Sequence, residues 1–197
     1  MEWSRGDSEP FTRCFLTRRA DLLLVIFVCG SAVAGWLGAA TAAPPALEHE
    51  VKAAFLYQFI KFVEWPPKAL QASGDTIIIG VLGDSPIVTA LKSYEGAQAK
   101  GRRVVVRHFR DQEELEFSHV LFISASHRSR LDAILKALKS SSTLTVSDVG
   151  AFGRLGGIIN FVVVERRVGF EINKQAAEGA SLKLSAQLLN LARAVRE

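Results

Sequence analysis

The side chains able to do chemistry are few and scattered along the chain. Asp84 and Asp148 each follow an apolar run that reads as a strand, and a carboxylate at a strand end is well placed to act as a base or to anchor a ligand. Each also suits a turn or a helix start, so together they mark a candidate ligand crevice and not a catalytic pair. His49, His108, His119 and His127 have no second histidine at ligand spacing, and the two cysteines, Cys14 and Cys29, fall in a segment expected to be removed. No metal site, catalytic residue or cofactor is expected from such a set. Ser126 lacks the flanking glycines of a nucleophile elbow and reads as a helix cap. Residues 80–86 contain neither phosphate-cradling glycine pattern, so a nucleotide site is not expected there.

The elements that must position these residues follow from the apolar pattern. Val51 to Glu64 predicts a helix that is apolar over most of its surface, with Ala53, Tyr57, Lys61 and Glu64 as a narrow outer stripe, ended by Pro66 and Pro67. Ile77 to Leu82 and His119 to Ser124 are continuous apolar runs, as in strands covered on both faces. Arg103 to His108 and Thr143 to Val146 predict two further strands. Leu131, Ile134, Leu135 and Leu138 recur at helical spacing, and Asn173 suits a helix cap. Ile158 to Val164 and Val168 to Ile172 predict an antiparallel hairpin around Glu165, and Leu184, Leu188, Leu191 and Val195 share the stripe of one closing helix. The expected fold class is α/β: a single-domain layered sandwich with a mixed, mostly parallel sheet, helices on both faces, and a C-terminal antiparallel hairpin plus helix.

Residues 1–42 read as a cleavable signal peptide. Arg13, Arg18 and Arg19 precede the apolar run Leu22 to Val28, and Ala40-Thr41-Ala42 has the small residues required for cleavage near Ala42. Export to the periplasm follows, with Sec and twin-arginine routes both open. A short lead, 43–50, then precedes a domain at 51–197. The removed segment carries four arginines and four acids, so the formal net charge of +4 is retained. That modest excess, though crowded at Lys100, Arg102, Arg103, Arg107 and Arg110, does not point to nucleic acid.

Between Leu144 and Asn173, Gly153, Gly156 and Gly157 form a structural loop beside the hairpin, permitting tight or left-handed backbone. This block joins an ordered series: the entry helix VKAAFLYQFIKFVEWPP, then IIGVLGDSP, SHVLFIS, LTVSD with Phe152 and Gly156-Gly157, and finally FEINKQAA and SAQLLNLAR. The series resembles the YfiR family of exported bacterial proteins over nearly all of the mature chain.

The resemblance implies a compact α/β domain without enzymatic activity that represses an inner-membrane diguanylate cyclase by binding its periplasmic region, lowering cyclic-di-GMP output and biofilm formation. It also implies an OmpA-like outer-membrane lipoprotein as a sequestering partner, and it leaves a homodimer open. Family members often have a cysteine before the histidine of the third strand. Ser118 stands there in this chain, which puts redox control through a disulfide in doubt. The expected contact surface comprises Phe152, Glu165, Glu171 and Ile172. The alternative expectation is a periplasmic small-molecule sensor using the crevice at Asp84 and Asp148.

Overall fold

The computed structural model describes residues 48–197. The expected signal peptide and most of the lead lie outside the described residues. The first helix, α1, spans Glu48–Phe62, beginning before Val51 with Glu48 and Glu50 in its first turn, where carboxylates suit the helix dipole. It stops at Phe62, and Val63–Glu64 forms a short strand, β1. Pro66 and Pro67 bias Trp65 and Pro66 to extended backbone, and the stop comes earlier still because Val63 and Glu64 pair with Leu184 and Lys183 and the Phe62 carbonyl accepts from the Ser185 N–H. Pro67 then sits at the start of α2 (Pro67–Ala72), where its missing N–H removes nothing.

The chain continues through β2 (Thr76–Leu82), α3 (Ile87–Leu91), β3 (Gln98–Ala99), β4 (Arg102–Phe109), β5 (Val120–Ile123), α4 (Leu131–Leu138) and β6 (Leu144–Ser147). The hairpin strands β7 (Ile159–Val164) and β8 (Arg167–Asn173) follow, then α5 (Lys174–Gly179), β9 (Lys183–Leu184), α6 (Ala186–Leu191) and β10 (Ala194–Arg196). Eight strands form one sheet in the order β10-β8-β7-β6-β5-β2-β4-β3, while β1 and β9 pair separately. Within the eight-stranded sheet, pairing is parallel except between β7 and β8 and between β3 and β4, and β1 pairs antiparallel with β9. The expected mixed, mostly parallel α/β domain is the fold observed.

Strand alternation divides the interior into two cores. Ile77, Ile79, Val81, Val120, Phe122, Val146 and Phe161 meet Leu56, Phe59 and Ile60 of α1 in the larger one. Phe55, Phe59, Phe161 and Phe170 form its aromatic centre, with ring centroids 5.1–6.1 Å apart. Leu82, Leu121 and Ile123 point the other way and pack on Leu131, Ile134 and Leu135 of α4, with Val149 and Phe152 closing the smaller core.

Two expectations about helices are corrected. Ala53 is not on an outer stripe but fully buried, because α1 is covered by the sheet and also by α3. The closing stripe is not one helix either. Ser185 accepts a hydrogen bond from the Leu188 N–H as the cap of α6, which leaves Leu184 before the helix as part of β9; Val195 lies beyond it, in β10 beside β8. A strong cap inside the stripe overrides its periodicity.

Candidate functional site

The carboxyl ends of the central strands are filled by the chain's own hydrogen bonds. Ser124 Oγ donates to the Asp84 carbonyl at 2.6 Å and accepts from the Ser126 N–H, so Ser124, not Ser126, caps the turn at 125–130. Gly83 has φ +85°, and a side chain there would run into Ser126 and His127. Ser147 Oγ donates to the Ile123 carbonyl at 2.7 Å and accepts from the Val149 N–H.

Asp148 is engaged as well, by a residue that sequence reasoning missed. Lys52 is only 5 % exposed, and its Nζ lies 2.7 Å from Asp148 Oδ2 and 2.5 Å from Glu48 Oε1. Burial alone would lower the Lys52 pKa, but the hydrogen bonds and attraction of Asp148 and Glu48 outweigh it and hold the ammonium above its ordinary value. Asp148 therefore pins α1 to the end of β6. Asp84 and Asp148 are not brought together by any hydrogen bond or ion pair.

His119 is wholly buried, and its ring hydrogen-bonds the Ala69 backbone. Its Nδ1 accepts the Ile78 N–H at 3.0 Å, leaving Nε2 as the protonated nitrogen facing Ser73 Oγ at 3.3 Å. Burial, followed by repulsion from Arg102, pushes its pKa down to about 4, so the ring is neutral. Among the described residues, no group of three or more His, Cys, Asp or Glu could hold a metal ion.

The glycine-rich loop folds inward. Ala151 at φ +70° turns the chain so that Phe152 enters the smaller core with no exposed surface, and Gly156 at φ +98° turns it back. Gly157 lies flat against the Phe152 ring, where any side chain would displace the phenyl group. Gly153 has open space around it and contributes its carbonyl, which accepts from Asn173 Nδ2 at 2.8 Å. Asn173 Oδ1 also accepts from the Ala176 N–H as the cap of α5. Of the four expected contact residues, Phe152 and Ile172 are thus buried in the two cores and are withdrawn from the surface of the folded domain. Their apolar area is worth more against the sheet than against water. Glu171 is half-buried in β8, and Glu165 is exposed at the turn.

The hairpin end is the open part of this region. β7 pairs with β6 only at Ile159 and Asn160, and β8 pairs with β10 only from Glu171 to Asn173. Beyond those residues the two strands continue as a ribbon paired with each other, held on one side by the Arg193 N–H, which donates to the Phe170 carbonyl at 2.9 Å. Val163 and Val164 are 49 % and 42 % exposed. Adjacent strand residues point to opposite faces, so exposure of both means that the ribbon passes beyond the layers covering the sheet. The turn is Glu165-Arg166, with φ +50° and +61°, the left-handed pair of a two-residue hairpin that normally uses Asn-Gly. A groove of about 500 Å³ lies between this ribbon and the start of α1, lined by Glu48, Val51, Phe55, Val163, Arg166 and Val168. Sequence reading missed Val163 and Val164, since an apolar run that ends a strand looks the same whether its last residues are covered or not.

Among solved structures, the chain is similar to a conserved domain protein from Vibrio cholerae O1 biovar eltor at 13 % identity and a TM-score of 0.53, over 76 % of this chain and 60 % of that one. That likeness concerns the fold, and the chain spans less than two thirds of its length. A lower TM-score of 0.46, at 14 % identity over 71 % of this chain and 60 % of the other, relates it to the ABC domain in complex with L-Trp from Streptococcus pneumonia. A comparison with curated proteins finds no match. Residues 49–193, from the first turn of α1 to just before β10, match the sequence pattern of one family, and the chain belongs to it: the YfiR/HmsC-like family.

Proposed function

We propose that the protein is a non-enzymatic periplasmic regulator that represses an inner-membrane diguanylate cyclase by binding its periplasmic region, and that the projecting hairpin end is the contact. Family membership supports the class of activity. The single observation that carries the choice of surface is the exposure of Val163 and Val164 on opposite faces of the ribbon end. A ribbon of this kind presents apolar side chains and free backbone edges together, the combination used when a strand pair docks into another protein. Glu165 at the turn, and Glu171 further along β8, supply charge around the apolar tip.

Repression then follows from differential affinity. A domain that binds the inactive cyclase more tightly than the active one shifts the equilibrium by the ratio of the two affinities, and an OmpA-like lipoprotein competing for the domain reverses the shift. Residues 1–42 act as the export signal in this reading.

The test is co-purification of the chain with the periplasmic segment of a cyclase from the same genome, together with cyclic-di-GMP measurement after deletion. The complex is expected with the native hairpin and is expected to weaken by about tenfold or more when Val163 and Val164 are both replaced by Ser. Absence of binding, with unchanged cyclic-di-GMP in the deletion strain, overturns the reading.

A further inference from the structure

A second groove, also about 500 Å³, lies away from the strand ends where Asp84 and Asp148 suggested a ligand. It opens between α4 and α5, at the amino end of β6, under the lip of the glycine-rich loop. Its volume is within the range of sites that hold small molecules. The floor is aliphatic: Leu135, Ile158 and Ala180 are buried below it, while Leu155 stands on the lip with 46 % of its surface exposed.

The rim has a defined charge. Lys136 is neutralised by Asp132, whose carboxylate lies 2.7 Å away one helical turn earlier. Lys139 also borders the groove and has no carboxylate partner among the described residues. The groove therefore offers one uncompensated ammonium beside an aliphatic floor, with Thr143, Thr145, Asn173 and Gln175 as the polar part of its lining. No aromatic ring lines it, so there is no surface on which a planar ligand could stack.

From this arrangement we propose that the groove between α4 and α5 binds an aliphatic monocarboxylate, with the carboxylate on Lys139 and the hydrocarbon along Leu135, Ile158 and Leu155. A small polar anion would leave the aliphatic floor wet, and a neutral hydrocarbon would leave Lys139 unused. The site also has a physical route to the rest of the molecule. Asn173, which borders the groove, holds the Gly153 carbonyl, caps α5 and ends β8, the strand that leads back to the hairpin turn. The groove is independent of the cyclase reading, since occupancy is measured on the purified chain alone.

Octanoate below its micellar concentration is the probe, with octanol as its uncharged counterpart, and both are titrated by calorimetry into the purified chain. One octanoate per chain is expected to bind. Lys139→Gln is expected to weaken octanoate by about fivefold, the scale of one partly exposed ion pair, while leaving octanol unchanged. Leu155→Ser is expected to weaken both ligands. Both side chains are exposed, so each variant should retain the native melting temperature, and circular dichroism verifies this before titration. No saturable binding, or octanoate affinity unaltered by either substitution, overturns the proposal. Either failure leaves the cyclase reading intact, because that reading stands or falls on the co-purification.

Discussion

The loop at Phe152 and the turn at Glu165 both place non-glycine residues in left-handed backbone, one to bury a ring and the other to close a hairpin. Ala151 at φ +70° delivers a whole phenyl ring into the smaller core, and that burial, about 2–3 kcal/mol, offsets a backbone cost of about 1–2 kcal/mol. Glu165 and Arg166, at φ +50° and +61°, deliver nothing to the interior and end a ribbon whose valines are in water. Strain that burial explains is structural. The left-handed pair at Glu165-Arg166 is instead required by the two-residue turn that joins Val164 to Arg167, and the apolar side chains beside it stay in water.

The largest break of this contrast is Phe152→Ala. Emptying a fully buried phenyl site should cost about 3–5 kcal/mol, read as a lower denaturation midpoint with an unchanged slope. Replacing Val163 and Val164 by Ser should change stability by less than about 1 kcal/mol, since neither residue is buried. If the valine pair proved the costlier change, the assignment of loop to interior and tip to surface would be reversed.

Acid offers a second way to separate inside from surface, with an effect only slightly smaller. His119 is neutral in the fold, with its pKa pushed from 6.5 down to about 4, while the unfolded chain takes up the proton near the ordinary value. Between those two values the unfolded state binds more protons, so stability is complete above pH 6.5, falls as the pH drops towards 4, and levels off below it. The full loss from this group is about 3 kcal/mol, and His119→Gln should flatten that part of the profile while lowering stability at pH 7. A slope identical in His119→Gln would show that other groups set the acid sensitivity.

The first turn of α1 sharpens the comparison, because its neighbouring residues face both ways. Val51 lines the hairpin groove, and Lys52 is turned inward to Asp148. Asp148→Asn leaves a buried ammonium with Glu48 alone and should destabilise the domain by about 2 kcal/mol. Val51→Ala should cost less in stability and act mainly on partner binding, measured in the same co-purification.

Much of the scaffold was legible in the sequence because its causes are local or periodic. Ile77 to Leu82 and Val120 to Ile123 are apolar at every position, which only a strand covered on both faces needs, and Leu131 to Leu138 keeps helical spacing throughout. Depth was less legible. Phe152 sits in a glycine-rich stretch that suggests an exposed loop, but Gly157 is there to let the ring pack against backbone. Lys52 carries no local sign of its burial, since its partner Asp148 is 96 residues away. Ser185 hid the break in the closing stripe, as a serine between leucines reads equally as helix interior or cap. Sheet order depends on these distant pairings and has no local signal.

The smallest expected effect tests the turn itself. Glu165→Asn with Arg166→Gly installs the residue pair that tolerates left-handed backbone at both positions, and the domain should gain about 1 kcal/mol because two strained residues are replaced. Val163 and Val164 remain in place, so any loss of partner binding is assigned to the Glu165 and Arg166 side chains or to the freedom of the turn. Arg166→Gly alone keeps Glu165 and should gain roughly half as much stability. Partner binding retained in the single variant but lost in the double would identify Glu165 as a contact. Retention in both would leave the valines as the contact and the strained turn as their support, whereas a turn exchange that destabilised the domain would mean that the Glu165 or Arg166 side chain has a structural role, ending the contrast with Ala151.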